Sequence, residues 1–269
     1  PLRRQLLIAR LVMGWARARG GGDGAPIAPD QAVKLAGELA RLLDQVETEQ
    51  LSFDAIEGLA PADFAVHWQA TLKFLAILKR IWPRLLRREG ALDPADRRNR
   101  LIEAQAASWE SDPPDFPVIA AGSTGSIPAT ARLLKVVAGL KRGAVVLPGL
   151  DLELDEASWE AVAETHPQFG MKRLLLRLDA TRDDVRPWPH LEPAAPSSGA
   201  RVSLLRQALL PAEATAGPPR ALDPHATDGL TRVDCLHARE EAGAIALMLR
   251  RNLETPGATA ALITPDRDL

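Results

Sequence analysis

The stretch VIAAGSTGSIPATARLLKVVAGLKRGAVVL, residues 118–147, decides the fold. It begins with a short apolar run, Val118–Ala121, and continues into a turn of glycine and hydroxyl residues, Gly122–Ser126. Pro128 can open a helix whose apolar residues recur at helical spacing, and a second apolar run, Ala144–Leu147, follows it. A strand, a tight turn, a helix and a strand form one βαβ unit, with parallel strands and a right-handed crossover. The stretch therefore predicts an α/β fold.

Upstream of this unit the sequence predicts helices and no strand. Apolar residues recur every three or four positions over Leu2–Trp15, and a second helix of this kind can open at Pro29. A third helix is predicted from about residue 63 to residue 85, and Pro83 should kink or break it because proline removes a backbone donor. A fourth helix follows Asp93-Pro94, a pair typical of a helix cap and first turn. The fold class is thus α/β with a large helical part.

Downstream of the βαβ unit, residues 151–232 predict an irregular linker with short helices. Proline, alanine and glycine interrupt the apolar periodicity, which favours helices only at about 172–178 and 202–210. The linker opens with six carboxylates and no basic residue over 151–164, a pattern that favours a solvated loop and helix start over a metal site.

The final segment is again α/β, with strand-like residues at 233–237 and 258–264 and a helix between them. The predicted divisions are a helical part (1–112), the βαβ unit (113–150), the linker (151–232) and the start of a second α/β lobe (233–269). Pro1 falls inside a helical pattern, and the last residues carry no capping signal. We therefore expect a fragment of a longer protein, cut at both ends.

The composition excludes several classes of protein. The 269 residues hold 33 Lys and Arg against 35 Asp and Glu, which excludes a uniformly basic nucleic-acid binder. With 46% hydrophobic and 25% charged residues, the chain is neither a disordered tail nor a membrane protein. Cys235 is the single cysteine, so this chain alone builds no disulfide, cysteine-based zinc site or iron–sulfur cluster. We expect a cytoplasmic protein without a membrane partner.

The near-neutral total conceals a basic segment between Lys79 and Arg100, where eight basic residues stand among three acidic ones. Trp82 lies within it, and arginines beside an aromatic ring can contact a nucleic-acid backbone or stack a base. The alternative is a solvated pair of helices. The candidate DNA-binding residues are Arg84, Arg87, Arg88, Arg97, Arg98 and Arg100.

The glycine-rich turn is the second candidate site. Backbone amides and small hydroxyl residues before a helix can hold a phosphate oxygen, and here they would be Ser123, Thr124, Gly125 and Ser126. The turn lacks the lysine of GxxxxGK[ST], and Pro128 has no amide to offer. A plain βα turn is the alternative. The five histidines are scattered and no GxSxG elbow occurs, so no catalytic residue and no metal ligand is nominated.

Three segments resemble the AddB family, the partner subunit of the AddA helicase–nuclease in bacterial double-strand break repair. They are residues 118–130, 143–151 and 240–267, and residues 166–175 are also similar to that family. The resemblance implies two RecA-like lobes of the P-loop helicase type, each interrupted by a helical insertion. Residues 1–112 would be the insertion of the first lobe, residues 118–147 the return into that lobe, and residues from 233 onward the start of the second.

The same resemblance implies DNA binding, recombination and a heterodimer with an AddA-like motor and nuclease subunit. It also implies ATP, which would be vestigial here, and an iron–sulfur cluster and magnesium in regions outside residues 1–269, so no cofactor is expected in this part. No Walker A motif occurs, the 122–126 turn lacks the glutamine of active helicases, and Thr264-Pro265 stands where those enzymes carry an arginine. We therefore expect no ATPase or nuclease chemistry here. A nucleotide-dependent enzyme with phosphate at the 122–126 turn is one alternative, and a purely structural scaffold is another.

Overall fold

The computed structural model describes residues 2–19, 27–52, 75, 79–188, 197–215 and 221–266. The chain separates into two compact units, Pro1–His190 with Leu209–Pro218 and Leu191–Ala208 with Pro219–Leu269. The described part is 59% helical, and its sheet has two parallel strands. Helix packing therefore supplies most of the core.

Four helices open the first unit: α1 (Leu2–Arg19), α2 (Pro29–Thr48), α3 (79–88) and α4 (Pro94–Ser111). Helices α1, α2 and α4 begin where the sequence predicts them, and Pro29 and Pro94 each occupy a first turn. The apolar stripes of α1, α2 and α3 meet in one core, because each of these helices buries the face on which its apolar residues recur. The buried members are Ile8, Ala9, Val12, Ala32, Ala36, Leu39, Leu43, Leu75 and Trp82.

Helix α3 is the end of the predicted third helix, most of which lies outside the described residues. The helix continues through Pro83, so the predicted break at this proline is wrong. Proline inside a helix costs about 3 kcal/mol. Burial of Trp82 beside it, together with the hydrogen bond from the Trp82 indole to Asp93, offsets that cost.

Helix α3 ends at Arg88, and Gly90, two residues later, has φ +59°. The Ala91 amide donates to the Leu86 carbonyl at 3.0 Å, and the Gly90 amide donates to the Arg87 carbonyl at 3.2 Å. This pair of bonds is a Schellman motif, which closes the helix and needs a left-handed residue at its turning point. Gly90 therefore sets the short connection that leads from α3 into α4.

The βαβ unit is confirmed. Strand β1 (Val118–Ala121) and strand β2 (Gly143–Val146) pair in parallel, and helix α5 (Pro128–Gly139) connects them. A Cβ at position 143 would lie 1.8 Å from the Val137 carbonyl oxygen. Only glycine therefore fits at this first residue of β2, just after helix α5. The assignment of this unit to a RecA-like lobe stays a prediction, because many parallel α/β folds contain one.

The region after β2 contains more packed structure than the predicted linker. Helix α6 (Glu156–Glu160), helix α7 (Phe169–Arg177) and a 3₁₀ turn at Arg182–Asp184 belong to the first unit. The acidic residues serve local turns, since the Asp155 carboxylate accepts from the Ser158 amide at 2.9 Å and caps α6. One buried cluster of this part consists of Leu154, Trp159, Val162 and Leu175.

The second unit contains helix α8 (Ser197–Ala208), a 3₁₀ turn at Pro224–Thr227 and helix α9 (Ala238–Leu253). Helix α9 has the predicted position. The predicted strands at 233–237 and 258–264 are wrong, because neither segment pairs with any described residue. A β-strand needs hydrogen bonds to a neighbouring strand. A segment that has a strand-like apolar pattern but no such neighbour therefore stays irregular.

Candidate nucleic-acid interface

Helix α3 has two opposite faces. At 100° per residue, Arg80, Arg84 and Arg87 fall on one face, and all three are exposed. Trp82 and Leu86 fall on the other face and pack in the core of the helical part. Burial of the apolar face therefore fixes the direction in which the arginines point.

The six candidate arginines are all exposed, but they differ in their partners. Arg84, Arg87 and Arg97 make no ion pair or hydrogen bond within the described part of the chain. The Arg88 Nε lies 4.0 Å from a Glu89 carboxylate oxygen, a loose contact in water. Among the described residues, the candidate arginines without an ion pair or hydrogen bond therefore lie on α3 and on the first turn of α4.

The remaining two candidate arginines are engaged within the helical part. Arg98 donates to the Thr48 hydroxyl at 2.7 Å, and Arg100 donates to the Asp96 carboxylate at 2.8 Å. The Asp96 hydrogen bond and charge raise the pKa of Arg100. Arg98 keeps an unneutralised charge, whereas the charge of Arg100 is balanced by its partner.

Trp82 does not belong to this surface. Its side chain is 2% exposed, and its indole Nε1 donates to Asp93 Oδ2 at 2.5 Å. A buried ring cannot stack a base, so the predicted aromatic contribution of Trp82 to nucleic-acid binding is wrong. Helical periodicity puts Trp82 on the face of α3 opposite Arg84, and this pattern could have predicted from the sequence that the ring lies in the core.

Asp93 occupies the cap position of α4 but does not cap it. The carboxylate accepts no hydrogen bond from the helix amides; it pairs with Arg4, whose Nε lies 2.7 Å from Asp93 Oδ1. Arg4 Nη1 also lies 2.9 Å from both carboxylate oxygens of Asp44. Burial raises the pKa of Asp93, and the opposing effects of the Trp82 hydrogen bond and the Arg4 charge are smaller. No local sequence pattern links these partners, which come from three helices and a turn.

A cavity of about 620 Å³ lies beside this network, between α1, α2 and α3. Its charged rim is internally compensated, since Arg3 pairs with Glu89 and Arg41 pairs with Glu38, each at 2.5 Å. Its wall is mainly aliphatic. The cavity therefore offers no unpaired cation to an anionic ligand.

The glycine-rich turn is held by its neighbours. The Gly125 amide donates to the Ser123 hydroxyl at 3.2 Å, and Arg177 Nη1 donates to the carbonyls of Gly125 and Ser126 at 3.0 and 3.2 Å. Gly125 is buried with φ +55°, and a Cβ there would lie 2.5 Å from Leu174 Cδ1. Burial lowers the pKa of Arg177. These contacts support the plain βα turn, and phosphate contact by the exposed residues Thr124 and Ser126 stays a prediction.

The described residues show no sign of two other classes of site, a metal centre and a membrane span. No group of three or more His, Cys, Asp and Glu side chains within them is arranged to hold a metal ion. In the same residues, no helix has both the length and the apolarity needed to cross a membrane. No protein-family model, curated protein or solved structure matches the chain. The exposed arginines of α3 and α4 are therefore the best-supported candidate site.

Proposed function

We propose that this chain is part of a DNA-binding, helicase-like subunit that acts in double-strand break repair and recombination. In this proposal it is an AddB-like protein that works in the cytoplasm with an AddA-like motor and nuclease subunit. This portion guides DNA and carries no ATPase or nuclease chemistry. The observation that supports the proposal is the set of exposed arginines that make no ion pair or hydrogen bond with any described residue, Arg84, Arg87 and Arg97.

The physical basis of the proposed binding is release of counterions. An arginine that neutralises a DNA phosphate frees a condensed cation, and the binding constant then falls with salt. The slope of log K against log salt is about −0.9 for each phosphate on duplex DNA, so three free arginines predict a slope of about −3. Because the whole chain has a net charge of −2, attraction must come from this local surface.

The arginines of this surface are carried by a rigid frame. Asn99 is 4% exposed, and its Nδ2 donates to the Glu47 carbonyl at 2.6 Å, which holds α4 against the end of α2. Arg97 lies on the opposite side of α4, where it is exposed. Cations on packed helices lose less freedom on binding than cations on loops, so each phosphate contact is more favourable.

Filter binding across a range of salt concentrations tests the proposal. Replacing Arg84, Arg87 and Arg97 together by alanine should weaken DNA binding and reduce the salt slope by about 3. The matched control is Arg41→Ala, which removes one exposed arginine of α2 that is not among the candidate DNA-binding residues. The control should bind like the parent chain. Equal affinity and equal slope for the triple variant and the parent would overturn the proposal.

A further inference from the structure

Helices α4 and α5 pack against each other and leave a groove of about 530 Å³ between their exposed edges. Trp109, Pro113 and Leu140 form its apolar walls, and Arg132 and Lys135 stand along it. We infer that this groove receives one unstacked base of single-stranded DNA, with the adjoining phosphate on the two cations. The inference rests on the proposed DNA binding and adds a site distinct from the arginines of α3.

The walls of the groove suit the flat face of a base. Trp109 is half-buried on the last turns of α4 and is one of the residues that line the groove. Stacking of a base on an aromatic side chain is favourable for every base, because each has a π-face. The basic face of α3 lacks such a ring, since Trp82 is buried. The groove therefore supplies the stacking surface that the α3 face does not have.

The cations of the groove can exchange their present partners for a phosphate. Arg132 Nη2 lies 3.3 Å from Glu110 Oε2, and the two side chains are 54% and 50% exposed. Lys135 pairs with Asp179, and these side chains are 49% and 74% exposed. Exposed ion pairs of this kind contribute little to stability. A phosphate that neutralises both cations can therefore displace these carboxylates at small cost.

Gly139 keeps the groove open. It lies on the last turn of α5 and lines the groove, and no heavy atom lies within 4 Å of the position that a Cβ would occupy. Its φ is not in the left-handed region, so the backbone does not require glycine. A larger side chain at this position would fill the groove without disturbing the core.

The test measures fluorescence anisotropy with a labelled oligothymidylate of about 15 nucleotides, a length within the usual site sizes for single strands. Gly139→Gln fills the groove, and Trp109→Ala removes the stacking wall. Gly14→Gln is the matched control, because Gly14 also lies in a helix with no atom within 4 Å of a Cβ. We expect about tenfold weaker binding for both groove variants and no change for the control. Thermal melting followed by circular dichroism verifies that each variant is folded.

The outcomes separate the two proposals. If folded Gly139→Gln binds the oligothymidylate as tightly as the parent chain, while loss of the α3 and α4 arginines weakens binding, the groove inference is overturned and the proposed function survives. If the parent chain binds neither this strand nor duplex DNA, both are overturned. If the groove variants weaken single-strand binding and leave duplex binding unchanged, the groove inference is supported.

Discussion

Asp93 has a structural role that its local sequence does not predict. The position is typical of a helix cap, yet the carboxylate is 2% exposed and serves as the meeting point of Trp82 and Arg4. Removing either partner from a buried ionised group is costly, because the charge then lacks compensation. Asp93 thus couples the packing of α1 and α3 to the start of α4.

The raised pKa of Asp93 predicts a pH dependence of stability. The folded chain holds the Asp93 proton to a higher pH than the unfolded chain does, so this residue stabilises the fold most below its ordinary pKa of about 3.9. That contribution is lost as the pH rises through the folded-state pKa. In Asp93→Asn it is absent at every pH, although Arg4 loses one of its two carboxylate partners and the variant is less stable overall.

Urea unfolding of the parent chain and of Asp93→Asn between about pH 4 and pH 7 measures this difference. The free energy of unfolding of the parent should fall relative to that of the variant as the pH rises. Burial, the main cause of the raised pKa of Glu47, acts in both proteins and cancels from the comparison, whereas the smaller effect of the Asp93 charge on that pKa is removed together with Asp93. Parallel stability curves would contradict the assignment to Asp93.

Among the elements, the contact between α4 and the end of α2 depends on Asn99. The last four carbonyls of a helix have no partner within it, and the Glu47 carbonyl accepts from the Asn99 side-chain amide at 2.6 Å as well as from the Gln50 backbone amide at 3.1 Å. Asn99→Ala should reduce the free energy of unfolding by about 0.5–1.5 kcal/mol, because the contact between α4 and the end of α2 loses one hydrogen bond. Urea unfolding measures the change.

The neighbouring variant Arg98→Ala is the control for this contact. Arg98 also bonds to the end of α2, at the Thr48 hydroxyl, but it is exposed, so water can replace the hydrogen bond. Its effect should stay within about 0.5 kcal/mol. Similar losses for the two variants would show that burial of Asn99 is not what holds α4 in place.

The elements that sequence predicts well are those whose pattern is complete within one segment. Helix α2 contains its own start signal at Pro29 and its own apolar face, and the βαβ unit contains both of its strands. The prediction of a strand at 258–264 is wrong because a strand is not complete within one segment. It needs a neighbouring strand, which no described residue provides. The break predicted at Pro83 is wrong because burial of Trp82 outweighs the local preference against proline inside a helix.

The candidate site could also be predicted only where the information lies within one segment of sequence. Sequence composition located the basic segment, and helical phase alone would have separated the exposed Arg84 and Arg87 from the buried Trp82. It could not separate Arg97 from Arg100, because only the structure shows that Arg100 bonds to Asp96. The groove beside Trp109 was missed, since its two sides come from helices that only the fold brings together.

At the scale of the whole molecule, acidic and basic residues nearly balance, so the chain has no overall excess of positive charge. The net charge of −2 gives no general attraction to DNA, and the acidic residues after β2 form turns and a helix cap within the first unit. The proposed DNA binding therefore depends on a few positions, and we expect that loss of three arginines would remove a large part of it. A uniformly basic protein would lose affinity more gradually with each substitution.

The two-stranded sheet has a consequence for amide hydrogen exchange. The amides of Val118 and Gly122 donate to the carbonyls of Arg142 and Val146 on the β2 side. Successive amides of a strand point to opposite edges, so those of Ile119 and Ala121 face away from β2, where the described residues provide no third strand. Deuterium should therefore enter this strand at alternate positions, with Ile119 and Ala121 exchanging fast and their neighbours slowly. Uniform protection along the strand would reveal a further strand at that edge.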